Sequence, residues 1–322
     1  MLKIRDDAFK MYLYFMQERM NIFWRRYQDP DFFFGNLTSD QILSEYKFTN
    51  VYRVCDRVTQ YLIRNVIYAE GKVFTPEDLV LRILLFKIFN KIETWEYIEN
   101  ELGSIQFASF NRKLISEILT KRISSTPIFS AAYMMTGTHS NYDKNNSFKH
   151  EKWLQMLEDE IINSSTLQKI IHSNSLAELF EILSRCSFIG PFLAYQYAID
   201  LNYSEVVNFD ENSFVKAGIG AIRGIKKCFA DLGDYSYEDA IKFTADKIQY
   251  YRSKFDFKFQ NLFGREPTLI DFQNCFCETD KYLRVKMPEL SVGNKRIKQK
   301  FKINTNRINF FFPPKWNLVR SL

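Results

Sequence analysis

Apolar residues recur at intervals of three and four along most of the chain, and alternation with period two is scarce, so the pattern predicts an all-α fold. Between Asp6 and Tyr27, the residues Phe9, Leu13, Met16, Met20, Phe23 and Tyr27 mark one face of an amphipathic core helix. Thr75-Pro76-Glu77-Asp78 reads as a helix start, with a hydroxyl cap, Pro at the first helical position and acids in the first turn. The run that follows, from Leu79 to Phe89, is apolar on nearly every side and predicts a buried central helix. It ends at Asn90-Lys91. Glu93-Thr94-Trp95 opens a further helix that closes near Leu102-Gly103. Lys113 to Arg122 is again amphipathic, and Lys152 to Cys186 reads as helices broken and capped at Ser173-Asn174-Ser175. Gly190-Pro191 starts a helix that runs to Leu201-Asn202, because Pro at the first helical position gives up an amide that has no partner there. The polar stretch from Thr136 to His150 predicts a surface connection between two helical lobes, 1–150 and 151–322, closely packed about a central cleft.

Composition changes this picture little. A chain of 322 residues that is 46% hydrophobic buries a large core as one or two packed domains. A formal charge of +6 permits a polyanionic partner without requiring one. Five scattered cysteines without a signal peptide point to the cytoplasm and away from a disulfide framework or an iron–sulfur cluster. No run of about eighteen apolar residues predicts a membrane span. The three histidines, His139, His150 and His172, lack metal-ligand spacing. No metal, cofactor or obligate protein partner is expected.

Charge is concentrated in two places. Lys216 to Lys227 is Gly-rich and carries Lys216, Arg223, Lys226 and Lys227 with no acid, a candidate phosphate clamp without the spacing of a P-loop. Between Arg284 and Lys302 seven Lys or Arg stand against Glu289 alone, including Lys295, Arg296, Lys298 and Lys300, which implies a surface facing phosphates. The adjacent aromatics Phe32, Phe33 and Phe34 are either buried or a base-stacking wedge, with burial favoured.

The stretch from Phe188 to Asn212 resembles the helix-hairpin-helix DNA glycosylases, whose hairpin precedes a helix and whose catalytic Asp follows the second hairpin Gly by twenty positions. Counted from Gly190 the twentieth residue is Asp210, with Ala194 at the small-residue position of the helix and Asn212 two beyond the Asp. Phe188 stands where the first hairpin Gly is usual. Further segments, Tyr46 to Arg53, Phe86 to Glu96, Gln273 to Glu278 and Asp280 to Tyr282, resemble the α-glutamyl/putrescinyl-thymine pyrophosphorylase clade of DNA base hypermodification and its anti-phage glycosylase members.

The resemblance implies DNA carrying modified bases as the partner. Under it, Asp210 is the catalytic carboxylate that stabilises an oxocarbenium-like sugar and activates water. Phe48, Thr49 and Asn50 would fill the gap left by a flipped base, and Asn50, Asn90, Glu93, Trp95 and Gln196 would line its pocket. Arg53, Gly190, Lys216, Arg223, Lys226, Lys227, Lys281, Lys295, Arg296, Lys298 and Lys300 would contact DNA. From their spacing along one face, Arg53 and Arg57 would meet either Asp56, as a surface ion pair, or a phosphate. Phe192 occupies the position of the Schiff-base Lys of bifunctional relatives, so the expected activity is a monofunctional glycosylase acting on a phage-modified pyrimidine such as glucosylated hydroxymethylcytosine. The alternative is a hypermodification enzyme that replaces pyrophosphate on hydroxymethyluracil with an amine or amino acid in phage DNA.

Overall fold

The structure, a computed structural model, describes residues 2–29, 37–133, 135–291, 294, 297, 299–304 and 306–318. Phe32, Phe33, Phe34, Lys295, Arg296 and Lys298 lie outside the described residues. In chain order the elements are β1 (Lys3–Ile4), α1 (Asp6–Gln28), α2 (Gln41–Glu45), α3 (Arg57–Tyr61), α4 (Pro76–Phe89), α5 (Ile92–Leu102), α6 (Arg112–Ile123), α7 (Lys149–Met156), α8 (Thr166–Ile171), α9 (Leu176–Ser184), α10 (Pro191–Leu201), α11 (Ile219–Cys228), β2 (Phe229–Asp231), α12 (Tyr237–Lys254) and α13 (Leu269–Lys286). Single π-helical turns follow α3 at Leu62–Ile67 and α7 at Leu157–Ile162. The fold is mostly helical, and among the described residues one short antiparallel pair of strands sets Lys3 opposite Asp231 and Ile4 opposite Phe229.

The chain divides into two compact units, and both are discontinuous in sequence. Unit 1 joins residues 1–56 to 214–310 and 316–322, while unit 2 comprises 57–213 and 311–315. The break expected at 150/151 falls inside unit 2. Within unit 1, α1 and α11 pack on α13. The glycines of α11 explain that packing. A Cβ at Gly224 would lie 2.0 Å from the carbonyl oxygen of Phe276, and one at Gly220 would lie 2.3 Å from the sulfur of Cys277. Only hydrogen allows the two backbones to approach this closely.

Within unit 2, α4 is the central element and meets α5, α8 and α10. Its start is a reciprocal cap: the Asp78 amide donates to the Thr75 hydroxyl at 3.1 Å and the Thr75 amide donates to the Asp78 carboxylate at 2.9 Å. Such a cap stabilises by about 1 kcal/mol. Its end is Asn90, in the left-handed conformation at φ 47°, which Asn tolerates better than most side chains. The hairpin between α9 and α10 places Phe188 at φ 66°. A bulky residue is strained there; stacking on Trp153 at a centroid distance of 5.0 Å, with His139 and Tyr142 also against the ring, holds it in place. Among the described residues no helix is long and apolar enough to cross a membrane.

Candidate functional site

Residues 48–53 lie between α1 and α13 without joining a helix or a sheet ladder until Arg53 begins a short 3-10 turn. A chain buried in this way has backbone groups that helix and sheet cannot satisfy, so side chains of its neighbours must do so. Arg19 of α1 donates to the Thr49 carbonyl at 3.0 Å and to the Asn50 side-chain oxygen at 3.2 Å. Asn274 of α13 donates to the Asn50 carbonyl and to the Thr49 hydroxyl, each at 3.0 Å. The Thr49 amide donates to Glu278 at 3.1 Å, and Lys281 pairs with the same carboxylate oxygen at 2.5 Å. The Asn50 amide donates to Asp56 Oδ1 at 3.0 Å. Next to this network the Arg53 amide donates to Asp271 at 2.8 Å.

Several of these polar groups are surrounded by protein yet keep contact with solvent: Arg19, Thr49, Asn50, Asp56, Asn274 and Lys281 are half-buried, and Glu278 is buried. They line a recess. Burial pushes the Asp56 carboxyl up to about 7, and the nearby Glu278 charge adds to the rise, while the Asn50 amide, Arg19 and Arg53 oppose it. Burial lowers the Arg19 guanidinium below its ordinary value. Among the described residues, hydrogen bonds reach only Oδ1 of Asp56 and only Nε and Nη2 of Arg19. Asp56 Oδ2 and Arg19 Nη1 therefore offer one acceptor and one donor.

A basic ribbon adjoins the recess. The Lys47 amide donates to the Gln299 carbonyl at 3.0 Å and the Phe301 amide to the Glu45 carbonyl at 2.9 Å. This pairing brings the exposed Lys300, Phe301 and Lys302 beside Lys47, which directly precedes Phe48.

The residues expected to touch bases or DNA separate into distinct environments. Thr49, Asn50 and Lys281 are in the recess, with Phe48 buried under the Lys281 ammonium, 5.5 Å from its ring centroid. Phe48 packs on Phe15 rather than standing free to enter a base stack. In unit 2, Asn90 accepts a hydrogen bond from Lys87 at 2.8 Å, and Lys87 pairs with Asp200 at 3.2 Å. That cluster is sealed, with Lys87 and Asp200 side chains 3% and 0% exposed. Trp95 is buried against Phe86 and Arg82, Gln196 is buried, and Glu93 is exposed. Gly190 is an exposed cap of α10, and Phe192 is 41% exposed.

The Gly-rich segment is a helix seam. Lys227 is buried in a pair with Asp280 at 2.9 Å, and Lys216 pairs with Glu238 at 3.0 Å. Lys226 is exposed near the Tyr237 ring and Arg223 is half-buried. Asp210 is exposed in a turn, where Oδ1 accepts from the Asn212 amide at 2.9 Å. Water screens a charge at such a position, so it lacks the low-dielectric surroundings that give a carboxylate its electrostatic effect on a sugar cation.

Sequence reasoning assigned no role to Arg19, Asn274, Glu278, Lys87 or Asp200. For two of them a signal was present: Arg19 lies three residues from Met16 and four from Phe23 on the apolar face of α1, and Lys87 interrupts the apolar run of α4. A charge inside an apolar stripe marks a buried partner.

The family described as "5-hmdU DNA kinase, helical domain" matches residues 6–292. A curated relative, the 5-hmdU DNA kinase of Bacillus phage SP10, is 28% identical over 330 residues, covering 96% of this chain and 50% of the relative. The chain thus spans about half the length of that curated relative. No solved structure matches. These findings overturn the expectation of a monofunctional glycosylase that excises a base in anti-phage defence, because the relative is named as a kinase, a transferase, rather than a hydrolase. Asp210 loses its assigned role together with that reaction. The chain belongs to the 5-hmdU DNA kinase helical-domain family.

Proposed function

We propose that this chain binds DNA containing 5-hydroxymethyluracil and presents the base for modification at its 5-hydroxymethyl oxygen, as the helical part of a phosphoryl-transfer system. The observation that carries this reading is the family match over residues 6–292. The unit 1 recess supports it, since a neutral pyrimidine bearing a hydroxyl needs polar groups with open valences in a partly dehydrated place. The ribbon of Lys47, Lys300 and Lys302 beside it supplies charge for the DNA backbone. Phosphoryl transfer itself depends chiefly on positioning the acceptor oxygen and the donor phosphate. On this reading the helical chain serves the acceptor.

The test compares duplexes that differ only in thymine or 5-hydroxymethyluracil, using fluorescence anisotropy at fixed salt. The expected result is tighter binding to the hydroxymethylated duplex. Equal binding to both overturns the reading. Incubation of the same duplexes with γ-labelled ATP then asks whether this chain transfers phosphate by itself: label on the hydroxymethylated duplex extends its role from presentation to transfer.

A further inference from the structure

An acceptor and a donor that the fold leaves open flank Asn50, which Arg19 and Asp56 both hold by hydrogen bonds. Asp56 follows the 3-10 turn Arg53–Cys55 and is fixed through Oδ1 by the Asn50 amide at 3.0 Å, so its carboxylate has a set orientation with Oδ2 open. Arg19 is fixed through Nε and Nη2 by Thr49 and Asn50, which leaves Nη1. The backbone of residues 48–53 is already held by Arg19, Asn274, Glu278 and Asp56 Oδ1, and stapling that segment requires neither Oδ2 nor Nη1. An alcohol next to a ring carbonyl presents the complement, one O–H donor and neighbouring acceptor oxygens. A methyl group in its place removes the O–H donor and leaves only the ring carbonyl.

We propose that Asp56 and Arg19 form the subsite that distinguishes a 5-hydroxymethyl pyrimidine from thymine, with Asp56 Oδ2 accepting the hydroxyl proton in a hydrogen bond and Arg19 Nη1 donating to an oxygen of the same base. This assignment rests on the reading of the chain as a 5-hydroxymethyluracil DNA binder. A hydrogen bond to a charged group, made where water is partly excluded, discriminates strongly, because the thymine complex keeps the ring carbonyl for Arg19 but leaves the Asp56 carboxylate dehydrated and unpaired. Asn50 and Asn274 hold the segment in register and are positioning residues.

The experiment measures the ratio of affinities for hydroxymethylated and thymine duplexes in the wild-type chain and in Asp56→Asn. The wild type is expected to prefer the hydroxymethylated duplex by about tenfold or more, the range of one hydrogen bond to a charged group. Asp56→Asn keeps the shape and the carbonyl that receives the Asn50 amide, and it is expected to bring the ratio below about twofold. Titration supplies a second readout that needs no variant. The groups that face Asp56 are Arg19 from α1, Arg53 and Cys55 from its own segment and Glu278 from α13. As pH falls from 8 to 6 the carboxylate takes up a proton, so the wild-type ratio declines and that of Asp56→Asn stays flat. A wild-type preference that survives in Asp56→Asn and is constant with pH overturns the subsite and leaves the binding reading standing. A wild type without any preference overturns both.

Discussion

Each unit places a carboxylate beside cationic side chains, and the two arrangements differ in what they leave over. In unit 2, Asp200 and Lys87 are sealed from solvent, with Asn90 completing the ammonium's partners at 2.8 Å. In unit 1, Asp56 and Arg19 are half-buried and hold an irregular segment in place while keeping open valences. The first cluster satisfies charge within a core. The second holds charge at the edge of one, at a cost in stability. The same chemical change, carboxylate to amide, therefore separates them by sign.

Asp200→Asn should have the largest effect. It leaves the Lys87 ammonium buried without its counter-charge, and breaking a buried pair from one side destabilises by about 3–5 kcal/mol. Urea unfolding followed by circular dichroism reads the loss directly. A change below about 1 kcal/mol would show that the pair does not hold α4 against α10.

Gly224→Ala comes next. The new methyl must displace the Phe276 carbonyl, only 2.0 Å from the Cβ position, and the better helix propensity of Ala offsets little of that strain. A destabilisation of about 2 kcal/mol is expected. Because α13 carries Asn274 and Glu278 into the recess, the same variant should also weaken discrimination between hydroxymethylated and thymine duplexes.

Asp56→Asn should move stability the other way. The folded-state carboxyl lies at about 7 against an ordinary 3.8, so between about pH 4 and 7 the folded chain holds a proton that the unfolded chain has released. Stability from this group therefore falls as pH rises through that window and stays low above it. The amide has no charge to dehydrate. After discounting for the partial exposure of Asp56, Asp56→Asn should be more stable than wild type by about 1–2 kcal/mol at pH 8 and nearly equal to it at pH 4. Thermal melts across that range test the sign. Greater stability with less discrimination is the usual relation at a binding site.

Much of the helical order was legible because it depends on local rules. The Thr75-Pro76-Glu77-Asp78 start, the Asn90 end and the Gly103 stop are each set by a few neighbouring residues. The recess was partly legible: Thr49, Asn50 and Lys281 were singled out, and Asp56 was seen only as a helical neighbour of Arg53 and Arg57. Arg19, Asn274 and Glu278 were not assigned because their partners lie between 30 and 229 residues away, a separation that periodicity does not register. The Gly-rich stretch misled for a physical reason. Glycine serves close approach to a phosphate and close approach to another helix equally well, and here the neighbour is α13. The twenty-residue interval from Gly190 to Asp210 misled because spacing carries no information on burial, and Asp210 is in water.

The smallest effect is expected from the ribbon. Lys300 is exposed and pairs with Glu45 at 3.2 Å, and Lys302 is exposed beside it. Neither lines the recess, so both would meet DNA through its phosphates, which carry no sequence or base information. Lys300→Gln combined with Lys302→Gln should weaken binding to hydroxymethylated and thymine duplexes by the same factor, leaving their ratio at the wild-type value. The slope of log affinity against log salt should fall by roughly 0.9 for each phosphate that the variant no longer neutralises. Since Glu45 already neutralises part of the Lys300 charge, the fall should be nearer to that of one phosphate than of two. Combining these changes with Asp56→Asn gives the sharper measurement: backbone and base effects that act independently add in the triple variant. A ribbon variant that changes the ratio with an unchanged salt slope would place Lys300 and Lys302 at the base rather than along the backbone.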